Sequence, residues 1–185
     1  MRIGGAQRQG HVVLLRHQVR ARRHLQTRLS GAGNSGRAHN AETAMGHDDD
    51  VIAAQLEAVP EVRWTELLRA RNAFDAEEEH VNWLAPPGGF AYVTYSAQLT
   101  TFVAALQAVA PVVHFDWSEW GGIARYPGGR GLKAAPVAEA VRMFTAIVRA
   151  ERFNDNMIGA SADDGLLVSI DNRLRQWRDE ERGAR

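Results

Sequence analysis

Apolar residues recur at helical spacing along most of the chain after residue 50. Ile52, Leu56 and Val59 fall at 0, +4 and +7. Asp48, Asp49 and Asp50 stand directly before them, and negative charge suits the partial positive charge of a helix start. A helix is therefore expected to open there. Pro60 fits the first turn of a second helix. Its apolar spacing continues through Trp64, Leu67, Leu68, Phe74, Val81 and Leu84, with a break near Asn72, until Pro86-Pro87-Gly88-Gly89 ends it. Phe90-Ala91-Tyr92-Val93-Thr94-Tyr95 alternates and is aromatic, but it is short and has no evident partner. It reads as an extended connector. Ser96 then caps a helix whose face is Leu99, Phe102, Val103, Leu106 and Ala110, and Pro111 stops it. Pro136 opens another with Val137, Val141, Phe144 and Val148, widened by Met143 and Ile147. Asp163-Asp164-Gly165 caps a last helix with Leu167, Ile170, Leu174 and Trp177 inward. Arg173, Arg175 and Arg178 lie near its C-terminal end, which favours cations.

These elements predict a mostly α protein. A single compact helical domain of five to seven helices spans residues 45–178, and a charged tail, 179–185, is expected to fray. Charge separates this domain from what precedes it. Residues 1–44 carry eight arginines against one acid, Glu42, a balance of +7. The remaining 14 basic and 21 acidic residues give −7, so the formal net charge is zero. The leader is basic and rich in glycine, with a flexible Ser30–Gly36 stretch, and is expected to be disordered or loosely helical. Three further readings stay open for it: an arm that binds nucleic acid through phosphates, a transit-like segment, or a start-site artefact with the true start at Met45. Nucleic acid enters as a partner only if the leader is part of the protein in the cell.

Cysteine is absent, which excludes disulfides and thiolate chemistry. No apolar run approaches the roughly 20 residues needed to span a bilayer. A soluble, cytoplasmic protein is expected, with no membrane partner.

The densest group of informative side chains is Val112-Val113-His114-Phe115-Asp116-Trp117-Ser118-Glu119-Trp120. Its aromatic and imidazole groups beside carboxylates could line a ligand pocket in which Asp116 is a base or a cation partner. In the plainer reading Phe115 and Trp117 are core anchors and Asp116 caps a short helix over 117–120. Arg152, in Arg149-Ala150-Glu151-Arg152-Phe153-Asn154, is the expected partner of Asp116. The candidate pocket is Tyr95, His114, Asp116, Trp117, Trp120 and Arg152. Glu77-x-x-His80 has helical metal-ligand spacing, but with Glu78 and Glu79 beside it a solvated acidic helix face is expected. Gly128-Gly129-Arg130-Gly131 lacks the strand-to-helix context of a phosphate loop and reads as a connector. Neither a metal nor a cofactor is expected.

Taken in order, Tyr92–Ser96, Phe115–Trp117 with Trp120, Thr145–Arg149 with Arg152 and Phe153, and Asp164–Leu167 resemble a bacterial family of unknown function, DUF6508. The resemblance covers roughly residues 50–178. It implies a compact helical domain and no reaction. A glycine commonly follows the Arg-Phe pair in that pattern, where this chain has Asn154-Asp155-Asn156. No segment combines a nucleophile, a base and an orienting group. The expected function is a non-catalytic interaction or accessory module with an unknown protein partner. The alternative is a small-molecule-binding enzyme of hydrolase class, with its aromatic pocket around Asp116.

Overall fold

The structure is a computed structural model that describes residues 38–117 and 120–184. The leader expected to be disordered lies outside the described residues as far as residue 37. Seven α-helices and one β-hairpin make up the described part, within the expected five to seven.

Helix α1, Ala38–Glu57, buries Ile52 and Leu56. The acids at 48–50 were expected at its start and lie instead within it. Strong helix formers upstream, among them Ala38, Ala41, Glu42 and Ala44, carry the helix past them. Helix α2, Glu61–Asp75, follows Pro60 and buries Trp64, Leu67, Ala70 and Phe74. It stops there, contrary to the reading that carried it to Leu84. Val81–Leu84 is taken up instead by pairing with Tyr92–Tyr95, and tertiary pairing overrides a local helical count.

Val81–Leu84 forms strand β1 and Tyr92–Tyr95 strand β2. They pair antiparallel with Val81 opposite Tyr95 and Leu84 opposite Tyr92. The connector therefore has a partner, which the helical reading of Val81 and Leu84 had hidden.

Helix α3, Ala97–Val109, is capped by Ser96, whose hydroxyl accepts from the Leu99 amide at 3.1 Å. Phe102 meets Phe74 of α2 with ring centroids 4.9 Å apart. The Gly128–Gly131 connector lies between a short helix α4, Gly122–Arg125, and the central helix, and contributes to two 3₁₀ turns, Pro127–Gly129 and Leu132–Ala134.

Helix α5, Val137–Glu151, is the axis of the domain. All its residues from Val137 to Ile147 are buried, Glu139, Arg142 and Thr145 included. A helix buried all round belongs to a core rather than a surface. Helix α6, Met157–Asp163, was not foreseen. Helix α7, Leu166–Gly183, packs Leu167, Ile170 and Leu174 inward. Gly165, left-handed at φ 76°, is its N-cap residue, and Asp164 just before it accepts from the Leu166 amide at 3.2 Å. Residues 179–183, expected to fray, extend α7, and Arg178 and Arg182 both reach Glu61 at the start of α2.

Phe102, Leu106, Phe144, Ile170 and Leu174 are fully buried, and Val148 partly. Replacing Phe144 by Ala should cost about 3–5 kcal/mol. Urea unfolding measures this directly, and a change near zero would mean that α5 does not present this face to the core.

Candidate functional site

The aromatic-acid segment is pinned to α5 by polar contacts. Thr145 accepts a hydrogen bond from the Val113 amide at 3.2 Å. Arg149 donates to the Val113 and Phe115 carbonyls at 3.1 and 3.3 Å. The Trp120 indole donates to Glu139 at 3.1 Å, and its ring meets Phe115 edge-on at 5.5 Å. Ser118 and Glu119, in the middle of the short helix expected over 117–120, lie outside the described residues, and that expectation falls on them. The Trp120 amide donates to the Asp116 carbonyl at 3.0 Å. The Trp120 ring then covers Gly122 so closely that a Cβ at 122 would lie 2.1 Å from it. That approach fixes glycine at the start of α4.

Glu139 is the centre of this region. It is 3% exposed, and it accepts from Trp120, Arg125 and Arg142, each at 3.1 Å. Arg142, equally buried, reaches Asp49 of α1 at 2.5 Å. A buried charge needs such partners to offset its lost hydration. Beside this network an open cleft of about 250 Å³ lies between α1 and residues 111–115, lined by His114, Phe115, Gln55 and Arg142 among others.

Tyr95 belongs to a different place. Its hydroxyl donates to Glu151 at the end of α5, and the other Glu151 oxygen accepts from the Ile158 amide at 2.8 Å. Burial pushes the Tyr95 phenol well above its ordinary range, and the hydrogen bond and negative charge of Glu151 add to this. Tyr95 is thus held as a neutral donor. Asn156 follows in the left-handed conformation, φ 72°, which asparagine tolerates and glycine adopts freely. Gly159 then lies so close to the hairpin that a Cβ would come within 2.6 Å of Val81.

The six predicted pocket residues are therefore divided. Trp120 is anchored at Glu139 and Tyr95 at Glu151, about 18 Å apart along α5 at ~1.5 Å per residue. His114 and Asp116 are exposed on the pinned loop, with Trp117 half-buried beside them, and Arg152 is exposed past the end of α5. The ion pairs among the described residues include none between Asp116 and Arg152. Arg149, three residues earlier, is the arginine that grips the loop. Glu77 accepts from Ser96 and lies 3.3 Å from His80, whose ring stacks on Phe74 at 3.9 Å. Among the described residues no group of three His, Asp or Glu is placed to hold a metal ion.

A second buried acid went unnoticed in the sequence. Asp171 of α7, 0% exposed, binds Arg71 of α2 at 2.9 Å and Arg175 at 2.8 Å. Burial raises its pKa, and the Arg175 and Arg71 guanidiniums oppose the rise. Nothing in the spacing of Asp171 marks it as buried, since Arg175 at i+4 equally suits an exposed pair.

The result is a helical domain whose polar side chains hold loops and a hairpin onto one buried helix. The chain belongs to DUF6508, a family of unknown function, whose family model matches residues 59–180. No curated protein and no solved structure matches the chain.

Two outcomes follow from this geometry. Arg149→Met should lower stability by about 1–3 kcal/mol, because two carbonyls lose a charged donor. Asp116→Asn and Arg152→Met should each stay within about 0.5 kcal/mol, as exposed positions do. Chemical denaturation of the three variants decides it, and equal losses at 149 and 152 would refute the assignment. The second concerns alkaline pH. The folded protein keeps the Tyr95 proton above the ordinary tyrosine value of 10.0. The unfolded chain then binds fewer protons than the folded one, so stability falls as pH rises past that value. Tyr95→Phe should flatten this part of the pH–stability curve. Unchanged alkaline slopes would show that Tyr95 is not so held.

Proposed function

We propose that this protein is a non-catalytic interaction module of the bacterial cytoplasm that presents its hairpin to a protein partner. One observation carries the reading. Phe90 is 95% exposed, Tyr92 50%, Leu84 45% and Trp83 39%, all on one short excursion of the chain. Grouped exposed apolar side chains of this size mark sites of association, and aromatic residues supply most of the energy at such sites. Family membership adds no reaction.

The fate of the polar residues supports the same reading. Tyr95, Trp120 and Arg149 spend their hydrogen bonds on Glu151, Glu139 and two backbone carbonyls. The alternative, a small-molecule-binding hydrolase, has the cleft beside His114 in its favour. It requires Asp116 and Tyr95 to act on one substrate, and their separate anchorage weighs against that. No helix among the described residues is long and apolar enough to cross a membrane.

Affinity capture from a lysate of the native cell, with the full chain as bait, tests the module. Leu84→Thr with Tyr92→Thr keeps β-propensity and a cross-strand pair while removing the apolar surface. Proteins captured by the natural chain should be lost with this variant at unchanged thermal midpoint. Identical capture by both would refute a role for the hairpin.

A further inference from the structure

The hairpin also carries unsatisfied backbone. His80 and Ser96 form a hydrogen-bonded pair at the base of the ladder, the Ser96 amide on the His80 carbonyl at 3.0 Å. In an antiparallel ladder hydrogen-bonded and non-bonded pairs alternate. Asn82–Thr94 and Leu84–Tyr92 are therefore bonded pairs, and the N–H and C=O of Val81 and Trp83 point away from β2. Among the described residues the sheet has two strands, and no other backbone group among them bonds to Val81 or Trp83. An exposed edge is usually blunted by a charge or a proline. Val81-Asn82-Trp83-Leu84 contains neither.

Three properties of this edge select its occupant. The free N–H and C=O groups call for an extended backbone. The alternation of side chains sets Trp83 on one face and Leu84, opposite Tyr92, on the other, so apolar residues are wanted on both faces of an added strand. Directly before β1 the chain exposes Glu78 and Glu79. Any strand lying along β1 passes them, so positive charge is wanted at that end. A second copy fits less well, because neither β1 nor β2 carries a basic residue to meet these acids.

Resting on the module reading above, we infer that the outer edge of β1 receives an extended, cationic segment of the partner protein as a third strand. Main-chain hydrogen bonds supply affinity in this mode, and the alternating side chains supply selectivity.

Selection from a random eight-residue peptide library, with the full chain as bait, tests this. Enriched peptides should alternate apolar residues and carry arginine or lysine at one end. Three measurements on an enriched peptide follow. Leu84→Thr with Tyr92→Thr should weaken binding at least about tenfold. Glu78→Gln with Glu79→Gln should weaken it about threefold to tenfold and flatten its salt dependence. N-methylation of alternate peptide residues should abolish binding in one phase and spare it in the other, the signature of strand addition. That readout lies in the peptide and is independent of how the variants fold. Absence of enrichment, acidic or non-alternating binders, indifference to the phase of N-methylation, or a hairpin-dependent dimer of the chain in sedimentation would each overturn the inference. If lysate capture still depends on the hairpin while the library gives nothing, the module stands and strand addition of a cationic segment falls. If both fail, both fall.

Discussion

The burial of α5 on every side governs the rest of this structure. From Val137 to Ile147 such a helix has no water for its polar side chains, and Arg149 and Glu151 beyond are half-buried, so the polar groups it keeps find partners within the protein. Glu139 holds Trp120 and Arg125, and Arg142 holds Asp49 of α1. Thr145 and Arg149 hold the loop at 113–115, and Glu151 holds both the hairpin, through Tyr95, and the first turn of α6. Five peripheral segments are thereby fixed to one rod. Removing one partner from such a pair is costly because the other is left desolvated and unpaired. The polar residues of α5 thus specify where its neighbours sit more than they add net stability.

This arrangement separates residues that looks alone would group together. The sequence places Tyr95, Asp116, Trp120 and Arg152 among aromatic and charged neighbours, which is how pockets are composed. In the fold, the tyrosine and the tryptophan are each engaged by a carboxylate of α5, at opposite ends of the helix. A phenol donating to a carboxylate, with its own ionisation disfavoured by burial, is a strut and makes a poor base. Outside the core, apolar side chains on the hairpin and the backbone of its outer edge stay without partners among the described residues.

Strict apolar spacing made α3, α5 and α7 legible, and Ser96 was readable as a cap because its hydroxyl accepts from the next turn. The hairpin was not legible. Val81 and Leu84 stand +7 and +10 from Phe74, so a helical count admits them, and once they are spent on a helix the strand at 92–95 loses its partner. The polar pegs of α5 were hidden for a different reason. Glu139 and Arg142 are three apart and read as a solvated pair, and only the packing of α1 and α4 over them makes them buried. Choosing Arg149 over Arg152 as the loop's partner requires knowing that α5 ends at Glu151, and a pattern count does not fix a helix end to one turn.

The hairpin itself shows how a small element can be both anchored and available. Two four-residue strands are marginal on their own in water. At the base, Tyr95 is tied to Glu151, Val81 rests against Gly159 with no room for a side chain between, and the Ser96 cap joins β2 directly to α3. These contacts order the strand end that faces the body. Towards the tip, Leu84, Phe90 and Tyr92 are paid for by nothing in the domain and stay in contact with water. The entropy of ordering an edge is thus met at the base by interactions of the fold, so a segment arriving at the tip meets a preformed strand. Preorganisation of this kind lowers the cost of association without adding a contact, so on the proposed reading the anchorage at α5 sets how well the hairpin binds.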